Sequence, residues 1–177
     1  MSKVVVISSS PRKGNSHILC DEFVRGAAEV GAEVTRFWLG DYTVNYCKGC
    51  LACRNTARCV QADDAAAIID AMAEADVICL ATPVYFYNMS AQLKTLIDRC
   101  CAHYARLHDK KFVLLLTCED RDRDAFDETL TAFNGFFRCL DNPETIAVVR
   151  GYGVLRKTEI LSRPTALEHA YQAGLLC

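Results

Sequence analysis

Four cysteines stand close together in the run Tyr46-Cys-Lys-Gly-Cys-Leu-Ala-Cys-Arg-Asn-Thr-Ala-Arg-Cys59: Cys47, Cys50, Cys53 and Cys59. Four thiolates at this density can close around one iron-sulfur cluster or one zinc ion. Structural zinc usually takes two separated Cys-x-x-Cys pairs. Three cysteines at successive steps of three, with a fourth six residues on, suit a [4Fe-4S] cube better. Gly49 lets the run turn tightly. Lys48, Arg54 and Arg58 accompany the thiols, and no acidic residue follows until Asp63. These cations would offset the negative charge of a thiolate-bound cube and raise its potential. Zinc, plain packing of small thiols and a disulfide are the competing readings, because ligand softness selects no single metal.

A second chemical segment is Ser8-Ser-Ser-Pro-Arg-Lys-Gly-Asn-Ser16. It lies between an apolar β-branched run and a helical pattern, where free backbone N–H groups favour an anion. Ser10, Asn15 and Ser16 add donors, Arg12 adds charge, and Gly14 lets the backbone come close. Neither a Walker Gly-Lys-Ser/Thr nor a G-x-G-x-x-G is present, so the segment reads as a cradle for a single terminal phosphate. An ordinary turn with a capping serine is the simpler alternative.

The third segment is Thr82-Pro-Val-Tyr-Phe-Tyr-Asn-Met-Ser90. Tyr85, Phe86 and Tyr87 have the shape to cover a flat ring, and Asn88 with nearby amides has the polarity to meet its edge. A hydrophobic hinge or a subunit contact would use the same residues.

The elements that must position these segments follow from periodicity. Strands are expected at Lys3–Ser8, Ala32–Leu39, Asp76–Thr82, Lys110–Thr117 and Thr145–Val149. Helices are expected at about 16–30, from Asp63 onward, after the cap Ser90 to about Cys101, at about 122–138, and from near Ser162 with Pro164 in the first turn. Strands alternating with helices predict a parallel sheet in an α/β three-layer sandwich. A phosphate loop after the first strand favours the five-stranded, flavodoxin-like order 2-1-3-4-5. The site then lies beyond the carboxyl ends of the strands, where the aromatic loop reaches the same crevice.

The 177 residues suit one domain, 1–177, with a cysteine-rich loop at 46–60. A net charge of -2 without charge runs argues against nucleic acid or an anionic membrane as partner. No run reaches the length of a membrane helix, and the N-terminal strand pattern is too brief for a signal peptide, so the cytoplasm is expected. In that compartment eleven cysteines point to metal or redox chemistry rather than a disulfide framework. The seven cysteines outside the loop read as small apolar residues. His103 and His108 read as solvated surface.

Ser8-Ser-Ser-Pro-Arg-Lys-Gly-Asn-Ser16, together with Thr82-Pro-Val-Tyr-Phe-Tyr-Asn-Met-Ser-Ala-Gln-Leu-Lys-Thr-Leu-Ile-Asp-Arg99, resembles the NAD(P)H-dependent FMN reductase superfamily. With Cys47, Cys50, Cys53 and Cys59 the chain resembles its iron-sulfur flavoprotein branch. The resemblance implies that Ser10, Arg12, Asn15 and Ser16 hold the FMN phosphate. It implies that Pro83, Val84, Tyr85, Phe86 and Asn88 border the isoalloxazine, and that the loop from Thr117 through Glu119 to Asp120 approaches its other side. Many relatives carry glycines where this chain has Cys118, Glu119, Asp120, Arg121 and Asp122. Acidic groups there are expected to disfavour an anionic reduced flavin.

The resulting expectation is an FMN-dependent oxidoreductase that passes electrons between NAD(P)H or a ferredoxin-like donor, FMN and a [4Fe-4S] cluster. The alternatives are a cluster-free FMN or quinone reductase and a non-enzymatic redox sensor. A phospho-receiver is disfavoured, because serines stand where its acidic pocket would be. A homodimer or homotetramer is expected, as in the family.

Overall fold

The computed structural model describes all 177 residues. Its main sheet holds β1 (Lys3–Ser8), β2 (Glu33–Trp38), β3 (Val77–Tyr85), β5 (Lys111–Thr117) and β6 (Glu144–Gly151) in the order β2-β1-β3-β5-β6, all parallel. A two-residue strand, β4 (Asn88–Met89), pairs antiparallel with the end of β3. Counting the five long strands alone, the order is the expected 2-1-3-4-5. The central strands β1, β3 and β5 are near-continuous apolar runs, as burial on both faces requires. The edge strands β2 and β6 are partly exposed.

Helices cover both faces. α1 (Asn15–Glu29) and α6 (Pro164–Gly174) pack on one side over Val4, Val6, Val113 and Leu115. Their contact is close: a Cβ on Gly26 would sit 2.1 Å from the Tyr171 carbonyl oxygen, and one on Gly174 would sit 2.1 Å from that of Phe23. Only glycine fits at this crossing. On the other side α3 (Ala65–Glu74), α4 (Ala91–Arg99) and α5 (Asp127–Phe137) enclose Ile68, Leu93, Phe112, Phe126 and Phe133. The cysteine run contributes one short turn, α2 (Cys53–Thr56). α5 begins at Asp127 rather than near Asp122. The stretch before it folds as turns, closed by Ala125 N–H to the Asp122 carbonyl and Asp127 N–H to the Asp124 carbonyl. Acidic Asp127 and Glu128 then occupy the first helical turn, where the helix dipole favours them.

No helix is long and apolar enough to cross a membrane.

Candidate functional site

The carboxyl ends of β1, β3 and β5 open onto a cleft at the switch point of the strand order. Its inner part, about 110 Å³, is lined by Ser10, Arg12, Asn15 and Ser16 from the first loop, Pro83, Val84 and Tyr85 from β3, and Thr117 to Glu119 beyond β5. Its outer part, about 380 Å³, runs between Phe86 and Tyr87 on one side and Cys118, Glu119 and Asp120 on the other. The phosphate loop, the aromatic segment and the loop after β5 therefore meet here, while the cysteine run takes no part in the lining. Asn88 lines neither part; its Oδ1 accepts from the Met89 N–H at 2.8 Å. Gly14 also stays off the lining, and the nearest atom to a Cβ there, at 3.6 Å, belongs to Lys157.

The first turn of α1 supplies the anion-binding character. Its first intrahelical bond is donated by the Ile18 N–H, so the N–H groups of Asn15, Ser16 and His17 have no acceptor. Asn15 and Ser16 are nonetheless buried. Unpaired donors below a cleft, with Arg12 beside it, fit a terminal phosphate. The side chains of the loop are held in place rather than free. Asn15 Nδ2 donates to the Arg156 carbonyl at 2.9 Å, and its Oδ1 accepts from the Ile160 N–H at 3.1 Å. The Arg12 guanidinium donates to the Leu155 carbonyl. Ser16 and Thr117 share a buried hydroxyl contact of 2.7 Å, which ties α1 to the end of β5.

A second polar network joins the phosphate loop to the aromatic segment. Ser9 Oγ donates to the Ala81 carbonyl at 3.0 Å, and the Ser9 and Ser90 hydroxyls lie 2.8 Å apart, both buried. The Ser90 N–H donates to Thr82 Oγ1 at 2.9 Å, and Ser90 also caps α4. From outside, Trp38 Nε1 donates to the Ser10 carbonyl at 2.7 Å.

The aromatic segment is a two-residue hairpin. Tyr85 pairs with Asn88 across a turn made of Phe86 and Tyr87, at φ 49° and 59°. Such a turn normally takes Asn-Gly, so two aromatic residues there carry backbone strain. Phe86 is fully exposed above the cleft. Tyr87 is anchored: its hydroxyl donates to Asp120 Oδ2 at 3.3 Å, and its carbonyl accepts from Thr129 Oγ1 at 2.9 Å. Asp120 also accepts from the N–H groups of Asp122 and Arg121, which hold its carboxyl below the usual range. The cleft wall therefore keeps a negative charge. Burial pushes the Cys118 thiol up to about 11, so it stands there as a neutral thiol.

The cysteine run forms an open loop on the same side of the sheet as α4. Cys47 and Cys50 are exposed, and Cys53 and Cys59 half-buried. No three metal-binding side chains gather in it. Cys53 lies against Cys101, and burial and that neighbour push its thiol up. Cys59 lies 3.4 Å from Arg99 Nη2. Burial raises its pKa, but hydrogen bonds from the Gln61 backbone and the Arg99 charge outweigh that, leaving the thiol below its ordinary value. In number and softness the four thiols suit a [4Fe-4S] cluster. Gly49, Leu51 and Ala57 all take left-handed backbone, which is the bending a closing loop needs.

The profile of the NADPH-dependent FMN reductase family matches residues 2–150. The chain belongs to that family. An iron-sulfur flavoprotein of Methanocaldococcus jannaschii is 45% identical over 98 residues, which are 55% of this chain and 51% of that protein. One from Methanosarcina thermophila is 42% identical over 101 residues, with the same shares of the two chains. The matched stretch thus spans about half the length of these relatives. Among solved structures, an NAD(P)H:quinone oxidoreductase from Methanothermobacter marburgensis superposes with a TM-score of 0.77 at 17% identity, covering 98% of this chain and 94% of that one. An FMN-dependent NADH-azoreductase from Bacillus anthracis, solved with FMN, gives 0.69 at 17% identity and 98% of each chain. At such identities the likeness is one of fold.

Sequence reasoning missed the loop Tyr152–Arg156 as a wall of this reductase-family cleft. Val154 and Leu155 line the inner part. Only distant pairings place them there, chiefly Val154 N–H to the Cys118 carbonyl at 2.8 Å. Of the seven outer cysteines, Cys20, Cys79, Cys100 and Cys118 are buried as small apolar residues should be, but Cys101 and Cys139 are exposed. His103 is buried rather than solvated, and desolvation lowers its pKa.

Proposed function

We propose that the protein is an FMN-dependent oxidoreductase that transfers electrons between a nicotinamide or ferredoxin-like donor, FMN in the cleft, and a [4Fe-4S] cluster on Cys47, Cys50, Cys53 and Cys59. The observation that carries the flavin part is the set of unpaired N–H groups opening α1, two of them on the buried residues Asn15 and Ser16, set beneath a strained aromatic hairpin at the switch point. The cluster part is supported by the four-thiol spacing and by relatives named as iron-sulfur flavoproteins. FMN supplies hydride and one-electron chemistry when bound, and a cluster supplies one-electron transfer.

The chain's own contribution is positional. Ser10, Arg12 and Ser16 with the α1 amides anchor a phosphate. Pro83, Val84, Tyr85 and Phe86 cover one side of a planar group, while Thr117, Cys118 and Glu119 border the other. Glu119 and the ionised Asp120 disfavour further negative charge there. Self-association as a homodimer or homotetramer is part of this reading. The apolar groove of about 620 Å³ between α4 and α5, with Met89, Ile97, Tyr104 and Phe136 on its walls, supports it.

The test is anaerobic purification after iron-supplied expression, followed by flavin, iron and sulfide assays. FMN with about four iron and four sulfide per chain is expected, with iron and sulfide lost together on Cys50→Ala. FMN without iron would make the protein a cluster-free reductase. A redox-dependent partner contact without NAD(P)H turnover would make it a sensor.

A further inference from the structure

A cavity of about 750 Å³ opens at the sheet edge where β6 meets the start of α6. Arg121, Arg150 and Arg163 line it with His169, and no carboxylate does. None of the three arginines belongs to an ion pair. Arg163 is fixed without a carboxylate: Nε donates to the Tyr152 carbonyl at 3.2 Å, Nη2 to the Gly153 carbonyl at 3.1 Å and Nη1 to Ser162 Oγ at 3.2 Å. The Arg121 and Arg150 guanidinium groups are exposed and make no side-chain hydrogen bond.

Two of these cations crowd one glycine. A Cβ on Gly153 would sit 3.1 Å from Arg121 Nε and 3.1 Å from Arg163 Nη2, and its φ of +65° also calls for glycine. Glu159 lies within electrostatic reach of Arg163, but no carboxylate lines the cavity, and an anion shared there removes the remaining repulsion between the like charges. Guanidinium forks match phosphate oxygens in pairs. The Tyr152 ring forms another wall, braced by its hydroxyl on the Arg123 carbonyl at 3.1 Å and by Phe126.

The cavity shares a partition with the cofactor cleft. The Gly153 N–H donates to the Asp120 carbonyl at 2.8 Å, and Cys118 to Asp120 and Val154 to Leu155 face the cleft from the same two segments. Its volume lies in the range of about 300–1,000 Å³ that suits a nucleotide-sized ligand rather than a lone ion. We propose that this cavity takes the phosphate-bearing part of a nicotinamide nucleotide, a proposal that rests on the reading that the adjoining cleft holds FMN.

The test is calorimetric titration of the FMN-loaded protein with inorganic pyrophosphate and with NADPH and NADH, each used as its non-reducing tetrahydro analogue so that no hydride passes to the flavin. It compares wild type with Arg150→Glu and with the double variant Arg121→Gln/Arg150→Gln. Each lost arginine is expected to weaken NADPH binding about tenfold, with wild-type binding itself falling as salt rises. Flavin absorbance is expected to stay unchanged. Loss confined to NADPH assigns the 2′-phosphate to the arginines. Equal loss for NADH and NADPH, shared by pyrophosphate, assigns the diphosphate bridge. Undiminished nucleotide binding in Arg150→Glu would overturn the proposal. So would a wild-type, FMN-loaded protein that binds neither nucleotide. Absence of FMN from the wild type would count against the cleft reading instead, and pyrophosphate titration of that chain still reads the arginines.

Discussion

Arg99 and Asp63 form a buried ion pair at the root of the cysteine loop. Nη1 meets Oδ2 at 2.6 Å and Nη2 meets Oδ1 at 2.9 Å, with side chains only 1% and 2% exposed. The same guanidinium donates to the Asn45 carbonyl at 2.8 Å, and to Cys59 Sγ. Asp63 in turn accepts from the Asn45 N–H at 3.0 Å. One arginine at the end of α4 therefore holds Asn45, two residues before the first cysteine, the last of the four cysteines, and the carboxylate after them.

Breaking this pair from one side leaves a charge buried without a partner. Arg99→Met is expected to cost about 3–5 kcal/mol, read from urea unfolding. The double variant Arg99→Met/Asp63→Leu, which removes both charges, is expected to recover most of that loss. A single variant as stable as wild type would show that the loop root is solvated.

Asp63 also predicts a pH dependence. Its hydrogen bonds with Arg99 hold its carboxyl well below the usual range, against the opposing effect of burial. A carboxyl depressed in the folded state stabilises fully above its unfolded value of about 4, and that stability fades as pH falls toward the folded value. Wild-type stability is therefore expected to decline below about pH 4 more steeply than that of Asp63→Asn. Parallel acid-unfolding curves for the two would refute the linkage.

The Phe86–Tyr87 turn sets backbone strain against function. Phe86→Asn/Tyr87→Gly supplies the residues that a left-handed two-residue turn prefers. Relief of strain is expected to stabilise the chain by about 1 kcal/mol, or about 2–4 °C in melting temperature, partly offset by loss of the Tyr87–Asp120 contact. FMN affinity is expected to fall, because the ring cover is gone. A variant that melts higher and binds FMN as tightly as wild type would deny the hairpin its covering role.

How much of this was legible in the sequence depended on range. The runs Val4–Ile7, Val77–Ala81 and Phe112–Leu116 announce buried parallel strands, and local punctuation at Gly31, Ser90 and Pro164 marks helix ends. The phosphate and aromatic loops of the cleft were legible because each carries a dense local pattern, whereas the loop after β5 was placed there only by the family resemblance. Arg99 with Asp63, Arg163 with Gly153 and Asn15 with Arg156 were not legible. The first and last join residues 36 and 141 positions apart and the second joins residues 10 apart, and neither composition nor periodicity encodes which carbonyl or carboxylate an arginine or asparagine will meet. The turns at Asp122–Phe126 were hidden for a related reason. Phe126 is drawn into the core beside Tyr152, a tertiary contact that overrides the helical pattern before Asp127.

Cysteine reactivity should divide along the same structural lines. Burial pushes Cys20 and Cys100 up to about 12 and Cys118 to about 11, so all three remain protonated at neutral pH. Mass spectrometry after brief alkylation of the metal-free protein at pH 7.5 is expected to find Cys47, Cys50, Cys101 and Cys139 labelled first, since these four are exposed. Early labelling of Cys100 or Cys118 would mean that the sheet and α4 open more readily than their packing implies.

Arg12 offers a test of the phosphate cradle that separates it from the ring site. Its guanidinium already reaches the Leu155 carbonyl, so it stands at the cleft mouth without a carboxylate partner. Replacement by glutamine removes a charge-assisted contact with a phosphate but nothing that touches a planar ring. Arg12→Gln is expected to weaken FMN binding about tenfold and to leave riboflavin, which lacks the phosphate, unchanged. Fluorescence titration of the two flavins reads both constants. Equal weakening of both would place the role of Arg12 in holding the Leu155 loop closed over the ring. No change in either would remove Arg12 from the site.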